Sequence, residues 1–495
     1  MCGIFGAYSL KGENVIPYAC IGPQFLQNRG GMQNQGVGIS DGLRIETSPG
    51  YPYQAFPDWM KKFSSPVAVA GLRYATEGER SGKNDSPPID VSFRDMQVHI
   101  AHNGNIPYSS VLRAWLENIG YQHTRTTDTE SLGALLLNEI SECGNIAEGT
   151  QKIVKNLEDA ACSVVAVFPK QSTMVAYKDQ QGYRPLFMYW DESRGLCMFA
   201  SEDPAIYNIS EEFDESLIRE VERGEVIVVN KDGVKSYKTE NNRPETLCSF
   251  EHVYFARPDT SLQGLNVAFA RSRLGEKLWD LHKINDGVIV PDSESGDYGA
   301  QGYSKASGRP YFKALPKERY PIIDQNGMNA GQRGFMTATD TERRFVAKKR
   351  LKIRDFVEGR HVASVMDSNV RGTTVLGNLK NLAAMGAKSV DVLVTYGPIR
   401  SACHWGIDYR GINELSLKGE TSGTVEGANE FMKAWVNERA GKLKLNSWTY
   451  MTPEGLIEVL GDKTCMKCQG IGFDGTVRLP EFLAKFYRND HMLMK

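Results

Sequence analysis

The chain has 495 residues, of which 41% are hydrophobic and 24% are charged, and its formal net charge at pH 7 is −2. This length predicts roughly two to four globular domains, and nothing in the overall charge favours nucleic acid or an anionic membrane as a partner. No apolar run approaches the roughly 20 residues of a membrane span, and the chain does not open like a signal peptide, so a cytoplasmic protein is expected.

Residues 1–235 are predicted to form a layered α+β domain. Stretches rich in β-branched and aromatic residues, bounded by Gly, Asn, Asp or Pro, have the pattern of short strands. They are IFGAYS, VAVAGLRYA, MQVHIAHNG, CSVVAVFP, STMVAYKD and EVIVVN. TESLGALLLNEISE has apolar residues at helical spacing. The polar residues 236–250 are predicted to be a linker.

Residues 251–440 have the pattern of a parallel-sheet domain. The strands GVIVPD, HVASVMD and SVDVLVTY are predicted here, and the helix VLGNLKNLAAMGA lies between the last two. A strand–loop–helix–strand unit indicates a parallel sheet, which binds ligands at the carboxyl ends of its strands. Residues 441–495 have no strong pattern and are predicted to be a C-terminal tail that carries CMKC.

The start of the chain, MCGIFG, carries a potential nucleophile. Once Met1 is removed, Cys2 has a thiol and a free α-amine. The thiolate attacks amide carbonyls, and an α-amine with an ordinary pKa of about 7.7–8.0 is a suitable general base near neutral pH. Taken alone, Cys2 is better explained as an accidental cysteine at the second position than as a nucleophile.

Three other motifs supply groups that fit such a nucleophile. Asn103 and Gly104 in AHNGN offer a carboxamide and a backbone N–H as an oxyanion hole. Arg73 in LRYAT suits a substrate carboxylate, and Asp128 in TTDTES suits a substrate ammonium. Each residue taken singly is also an ordinary turn or surface residue.

Together, MCGIFG, LQNRG, LRYAT, AHNGN, TTDTES and GYRPL resemble the class II, N-terminal-nucleophile glutamine amidotransferases. The resemblance implies an αββα sandwich in which Cys2 attacks the side-chain amide of glutamine. It also implies that Arg73 and Asp128 hold the α-carboxylate and α-amine, and that Arg29 belongs to a loop that closes over glutamine. The chain departs from the family at Asn28 and Gly71, where histidines are usual.

The second half carries a phosphate-binding pattern. In VASVMDSNVRGTT, Arg371, Gly372, Thr373 and Thr374 offer donors at a helix N-terminus, which suits an anion. An ordinary β–α turn is the alternative. The stretch resembles the phosphoribosyl diphosphate loop of type I phosphoribosyltransferases.

YFARPDT, VPDSESGDYGAQGY, LPKERY and WGID further resemble the amidophosphoribosyltransferases, over essentially the full length. This implies that ammonia from glutamine displaces diphosphate from phosphoribosyl diphosphate, giving phosphoribosylamine in the first step of purine synthesis.

The same resemblance implies roles in the second half. Asp292 and Ser293 lie near diphosphate and Mg²⁺, and Ser293 and Asp367 are the implied Mg²⁺ ligands. The other implied contacts of the phosphoribosyl and diphosphate groups are Lys317, Arg319, Tyr320, Lys348, Arg350, Asp367, Ser368, Arg371, Gly372, Thr373 and Thr374. Tyr254 and Arg257 are implied to couple the two sites.

One difference from the family pattern affects the predicted binding site of the ammonia acceptor. The family loop carries two adjacent carboxylates for the ribose hydroxyls and Mg²⁺, whereas this chain has Met366-Asp367. A thioether is a weak acceptor and a poor Mg²⁺ ligand, and the loss of one charged hydrogen-bonding group costs about 1.5–3 kcal/mol of binding. A paralogue with another phosphorylated sugar or nucleotide as acceptor is therefore a second interpretation.

Four of the nine cysteines fit a metal site. Cys248, Cys403, Cys465 and Cys468 stand where the cluster-containing amidophosphoribosyltransferases ligate a [4Fe–4S] cluster, and four thiolates are the required set. Zn²⁺ suits the same four ligands. The implied role is structural and oxygen-sensing, so a non-catalytic sensor is a third interpretation. The resemblance also implies a homo-oligomer, either a dimer or a tetramer.

Overall fold

The computed structural model describes residues 2–30, 36–74, 85–240, 243–292, 294–317, 351–409, 411–441, 445–472 and 476–493, with side chains up to residue 487. The chain divides into two compact units. The first comprises Met1–Cys248, His404–Asp408 and Gly475–Lys495, and the second comprises Ser249–Cys403 and Tyr409–Asp474.

Two antiparallel sheets form the centre of the first unit. Its strands are β1 (Gly3–Ser9), β2 (Val37–Ser40), β3 (Ile45–Ser48), β4 (Val67–Leu72), β5 (Ile89–Phe93), β6 (Met96–Asn105), β7 (Ala161–Phe168), β8 (Thr173–Lys178), β9 (Phe187–Asp191), β10 (Leu196–Ala200), β11 (Ile218–Glu220), β12 (Glu225–Asn230), β13 (Gly233–Lys238) and β14 (Leu247–Cys248). One sheet has the order β11-β9-β10-β1-β4-β2-β3, and the other has the order β13-β12-β8-β7-β6-β5.

The two sheets pack face to face through a largely apolar layer, which also contains a buried hydrogen bond between Ser40 Oγ of β2 and His99 Nδ1 of β6. Ile4 and Val69 of the first sheet share one buried cluster with Val165 and Ile227 of the second. The approach is close, because a Cβ on Gly6 of β1 would lie 2.5 Å from Cγ1 of Val165. A side chain at that position would force the sheets apart.

Helices cover the outer faces of both sheets. They are Ile16–Ile21, Pro52–Lys62, Ser109–Asn118, Asp128–Cys143, Ile146–Asn156, Pro204–Tyr207 and the C-terminal Glu481–Leu493, with 3₁₀ turns at Gly22–Arg29 and Glu215–Leu217. Helix Asp128–Cys143 begins where Thr127 Oγ1 accepts the Thr129 N–H, and it ends at Gly144 with φ +67°. Such caps satisfy the orphan backbone groups of a helix end.

A parallel sheet forms the centre of the second unit. Its strands are β15 (Ser261–Leu262), β16 (Leu265–Asn266), β17 (Val288–Pro291), β18 (His361–Met366), β19 (Ser389–Val394), β20 (Leu445–Tyr450) and β21 (Thr464–Cys465). Strands β17, β18, β19 and β20 are neighbours in that order, and each pair is parallel. The carboxyl ends of these strands therefore lie along one edge.

Helices connect the strands of this sheet. They are Val267–Leu281, Asp297–Ser307, Thr373–Ala384, Val425–Arg439 and Pro453–Leu460. A π-helical turn spans Glu251–Phe255, and 3₁₀ turns span Arg354–Phe356, Ile412–Glu414 and Lys467–Gln469. In the part of the chain that the structure describes, no helix combines the length and apolar character needed to cross a membrane.

The units differ from the predicted domain bounds. The predicted linker, residues 236–250, contributes to β13 and belongs to the first unit as far as Cys248. The predicted tail supplies β20 to the parallel sheet, and its last helix packs on the first unit, where Leu483 is fully buried. Short, weakly patterned segments of this kind are decided by tertiary packing, which local patterns do not show.

Candidate active site

Strand pairing places Cys2 beside the end of β4. In the antiparallel pair β1–β4, Gly3 is opposite Leu72, so the residues just before β1 and just after β4 are neighbours. Accordingly, the Tyr74 N–H donates to Cys2 Sγ at 3.5 Å, and Sγ lies 3.7 Å from the Tyr74 carbonyl oxygen. The thiol is only partly buried, so it is accessible to a ligand.

A small pocket of the first unit contains the Cys2 side chain. It is lined by Cys2, Arg73, Tyr74, Asp85, Pro87, His102, Gly104, Thr127, Asp128 and Thr129. Four of the predicted site residues therefore meet in space, although they come from β1, the end of β4, β6 and the start of a helix. Those four are Cys2, Arg73, Gly104 and Asp128.

Asn103 lies on β6 beside Gly104 and is completely buried. Neither atom of its carboxamide has a hydrogen-bond partner among the described residues. Gly104 is held against β7, where a Cβ would lie only 1.7 Å from the Ala161 carbonyl oxygen. A buried amide that lacks a partner is costly, so its retention next to a nucleophile is typical of a site completed by a ligand.

The Asp128 carboxylate is fixed at the start of its helix. Its Oδ2 accepts the Ile106 N–H at 3.0 Å, and its Oδ1 accepts the Thr127 hydroxyl at 3.3 Å. His102 Nδ1 lies 3.9 Å from Oδ2. A helix N-terminus favours a carboxylate, so the position of Asp128 suits its negative charge.

Arg73 is buried and forms an ion pair within the pocket. Its Nη2 lies 3.3 Å from Oδ2 of Asp85, which is also buried. The Thr126 hydroxyl donates to the same oxygen at 2.8 Å. The sequence analysis missed Asp85, because a single acid before Ser-Pro-Pro has no pattern that marks it. It also missed His102, although this residue is part of AHNGN.

In the structure, Arg29 is bound to a buried carboxylate of the first unit. Its guanidinium forms an ion pair with Glu202, both side chains are fully buried, and Asn28 Nδ2 also donates to Glu202 at 2.6 Å. Arg29 is not among the described residues that line the Cys2 pocket. A buried carboxylate needs a partner, and this need accounts for the placement of Arg29.

In the second unit, the predicted phosphate loop lies at the carboxyl end of β18. Met366 ends that strand and is buried. The Asp367 carboxylate accepts the Ser368 hydroxyl at 2.8 Å and also the Ser295 hydroxyl. Gly372, with φ +78°, directly precedes helix Thr373–Ala384. Backbone N–H groups at this helix start suit an anion.

The loop is tied to its surroundings by two further contacts. Arg371 pairs with Glu414 at 2.5 Å. Asp292, which follows β17, donates its N–H to the Val365 carbonyl at 2.7 Å. Asp292 and the residues from Asp367 to Thr374 thus share one edge of the parallel sheet, as predicted for a ligand site.

Most of the remaining predicted residues of the second unit are not among the residues that the structure describes. Ser293, Arg319, Tyr320, Lys348 and Arg350 lie outside the described residues, and Lys317 is the last one before residues 318–350.

The predicted coupling residues lie at the beginning of the second unit. Tyr254 is buried in the π-helical turn, and Arg257 pairs with Asp259 at 2.7 Å. The carbonyl oxygen of His252 in the turn accepts Arg271 Nε at 2.7 Å. Turns of this rare type are frequent at functional sites.

Three of the four predicted cluster ligands belong to the second unit. Cys403, Cys465 and Cys468 are partly buried, whereas Cys248 is buried at the end of the first unit. Burial raises the pKa of the Tyr409 hydroxyl, and the nearby thiols of Cys468 and Cys403 raise it further.

Among the described residues, no group of three or more His, Cys, Asp or Glu side chains is arranged to hold a metal ion. The fit to a cluster therefore rests on the soft thiolate donors themselves.

Comparison with known proteins gives a consistent result. The glutamine amidotransferase domain family matches residues 81–208. The amidophosphoribosyltransferase of Methanocaldococcus jannaschii is 31% identical over 486 residues, covering 94% of this chain and 96% of the relative. That of Bacillus subtilis is 28% identical over 474 residues, covering 94% and 92%.

A solved structure agrees with these relatives. Glutamine phosphoribosylpyrophosphate amidotransferase from Bacillus subtilis, complexed with ADP and GMP, has a TM-score of 0.78 and 26% identity, covering 97% of this chain and all of that one.

The sandwich and the pocket around the Cys2 thiol agree with the class that the comparisons give, a glutamine amidotransferase. Within that class, the chain belongs to the amidophosphoribosyltransferase family. It is thus an enzyme of glutamine-dependent pentosyl transfer in purine biosynthesis. The predicted fold class is confirmed, and membership favours the enzyme interpretations over the non-catalytic sensor.

The buried Arg29–Glu202 pair makes a testable prediction about stability. Arg29→Met removes the cationic partner of buried Glu202 and leaves it the neutral Asn28 contact, so we expect the free energy of unfolding to fall by about 3–5 kcal/mol in urea titrations. Lys155→Met, which removes the exposed pair with Glu240, is the control and costs under about 1 kcal/mol. A stable Arg29→Met variant with a raised KM for glutamine would show instead that Arg29 binds glutamine.

Proposed function

We propose that Cys2 of the processed chain hydrolyses glutamine and that the ammonia released displaces diphosphate from phosphoribosyl diphosphate. The products are phosphoribosylamine, glutamate and diphosphate. The observation that carries the proposal is the buried, unpartnered carboxamide of Asn103, which lies next to Gly104 of the Cys2–Arg73–Asp128 pocket.

The glutaminase reaction follows from these groups. The α-amine of Cys2 takes the thiol proton, and the thiolate attacks the side-chain carbonyl carbon of glutamine. The negative charge that develops on the carbonyl oxygen is stabilised by Asn103 Nδ2–H and the Gly104 N–H. Collapse of this intermediate breaks the C–N bond, the proton returns to the leaving nitrogen, and ammonia departs. Water then hydrolyses the thioester to glutamate.

Two buried charges orient the substrate. Arg73 takes the α-carboxylate of glutamine by a charge-assisted contact, and Asp128 takes the α-ammonium. Asp85 already holds Arg73, so the incoming carboxylate has to share that guanidinium. The pocket therefore contains two carboxylates and one guanidinium, which favours a zwitterion with its ammonium at Asp128.

The acceptor site is proposed at the carboxyl edge of the parallel sheet. Thr373, Thr374 and the backbone N–H groups at the start of their helix bind the 5-phosphate, and Asp367 binds a ribose hydroxyl. Mg²⁺, held by Asp367 and Ser293, would supply positive charge against the leaving diphosphate. Met366 replaces a carboxylate and weakens this site, so another phosphorylated sugar or nucleotide is the second candidate acceptor.

The proposal also includes a metal cluster, coupling of the two reactions, and an oligomeric state. Cys248, Cys403, Cys465 and Cys468 hold a [4Fe–4S] cluster with a structural and oxygen-sensing role, and Zn²⁺ is the alternative for the same thiolates. Tyr254 and Arg257 couple glutamine hydrolysis to acceptor binding. The enzyme works in the cytoplasm as a homo-oligomer, either a dimer or a tetramer.

The proposed oxyanion hole is tested by Asn103→Ala. We expect kcat for glutamine hydrolysis to fall about 10²–10³-fold, because one of the two donors to the oxyanion is lost. Diphosphate release driven by added ammonia should persist, since that step does not use the thiol. Cys2→Ala should abolish the glutamine reaction in the same assay, and unchanged hydrolysis by either variant would contradict the proposed site.

Competition between Asp85 and the substrate carboxylate is tested by Asp85→Asn. The neutral carboxamide keeps an acceptor for Thr126 and removes the charge that holds Arg73. We expect the KM for glutamine to fall several-fold at an almost constant kcat, because the guanidinium then pairs with the substrate alone. Asp58→Asn, at an exposed position, is the control. A higher KM in Asp85→Asn would indicate that Asp85 orients Arg73.

The acceptor is tested anaerobically with glutamine, Mg²⁺ and phosphoribosyl diphosphate, by following diphosphate release. We expect glutamine-dependent release, and we expect Met366→Asp to lower the KM for phosphoribosyl diphosphate about tenfold, because a charged acceptor is restored. Met366→Leu should behave like the parent. Glutaminase activity without diphosphate release would point to the second candidate acceptor.

A further inference from the structure

The segment His404–Asp408, with the sequence HWGID, is far along the chain from the catalytic motifs but belongs to the first unit. Its flanking residues, Cys403 and Tyr409, belong to the second unit, where the Cys403 N–H donates to the Tyr409 carbonyl at 3.1 Å. The segment is therefore a short loop with a closed base. No step of the glutaminase reaction above uses any of its side chains.

Main-chain groups of this loop are held by residues next to the oxyanion hole. Asn105, the last residue of β6, donates from Nδ2 to the His404 carbonyl at 2.9 Å. Arg184, which is fully buried, donates from Nε to the Trp405 carbonyl at 3.2 Å and also from Nη2. A buried guanidinium that binds a carbonyl is a strong, charge-assisted contact.

The Trp405 side chain fixes the loop from a second direction. Its Nε1–H donates to the Asp159 carbonyl at 2.8 Å. Its ring stacks on Tyr183, with 5.6 Å between centroids and 29° between the planes. The indole is buried, so both its apolar face and its N–H are satisfied.

Gly406 brings the loop onto the peptide of Gly104. A Cβ on Gly406 would lie 3.0 Å from the Gly104 carbonyl oxygen and 3.2 Å from its carbonyl carbon. The φ of Gly406 is +101°, which also favours glycine. Gly104 also packs closely on the Ala161 carbonyl of β7. Gly104 is therefore in close contact with both β7 and the loop.

We propose that the His404–Asp408 loop is a positioning element of the oxyanion hole, with Gly406 and Trp405 as its positioning residues. The inference rests on the proposed role of Asn103 and Gly104. Oxyanion donors act only when they are held at hydrogen-bond distance from the developing charge, so a shift of a few tenths of an ångström weakens them. The loop prevents such a shift because it packs on Gly104 and is bound by Asn105.

Gly406→Ala tests the proposal on the full-length protein. The new methyl group pushes on Gly104, so we expect kcat for glutamine hydrolysis to fall by roughly tenfold while the KM for glutamine changes less than about twofold. Two readouts should stay at the parental value: ammonia-driven diphosphate release and the rate at which iodoacetamide alkylates Cys2. If the loop served only in folding, Gly406→Ala would lower kcat and would also change the ammonia-driven diphosphate release and the alkylation rate of Cys2.

Gly419→Ala is the matched control. Gly419 also has a positive φ, +91°, but a Cβ there meets nothing within 4 Å. It therefore carries the same backbone penalty without the contact. Equal glutaminase kcat values for Gly406→Ala and Gly419→Ala would overturn the proposal.

If the Gly406→Ala variant does not fold, Trp405→Phe tests the proposed role of the loop instead. It keeps an aromatic ring against Tyr183, although a smaller one, and removes the hydrogen bond to Asp159. A several-fold loss of kcat at constant KM supports the proposal, and a parental kcat overturns it. The Asn103→Ala variant distinguishes a failure of the proposed oxyanion hole from a failure of the proposed loop role. Full glutaminase activity of Asn103→Ala would refute the oxyanion hole itself. Loss of activity in Asn103→Ala, together with parental activity of the loop variants, would refute only the role of the loop.

Discussion

The central place of β1 in the seven-stranded sheet is the constraint on which the glutamine site depends. A nucleophile at the end of a chain is mobile unless the chain behind it is fixed, and β1 is hydrogen-bonded to β4 on one side and to β10 on the other. This pairing sets Cys2 Sγ against the Tyr74 peptide. The position of the Cys2 thiol is thus set by a strand that is hydrogen-bonded on both sides.

Burial controls the charges around that thiol. Asp128 is stabilised by the Ile106 N–H and a helix N-terminus, whereas Arg73 is neutralised by Asp85. Buried charges that lack partners are strongly destabilising, and the pair with Asp85 gives the buried Arg73 guanidinium its counter-ion. Asn103 is different, because an uncharged amide can remain without a partner at a smaller cost.

The second unit follows a different rule. Parallel strands bring their carboxyl ends to one edge of the sheet. Asp292 and the loop that begins at Asp367 follow two neighbouring strands, so they lie at the same edge because of the strand order alone. The predicted phosphate loop therefore lies at the carboxyl edge of the parallel sheet, with the Met366 side chain buried at the end of β18.

The sequence by itself determined the chemistry and the class of fold. Spaced motifs with Cys2, Arg73, Asn103 and Asp128 predicted the amidotransferase, and the strand–loop–helix–strand pattern predicted the parallel sheet, because side-chain chemistry and local periodicity are both written along the chain. Tertiary structure alone decided that Asp85 pairs with Arg73, that Arg29 is buried against Glu202, and that His404–Asp408 packs under Gly104. These contacts join distant residues, and they depend on strand register and packing, which no local pattern encodes.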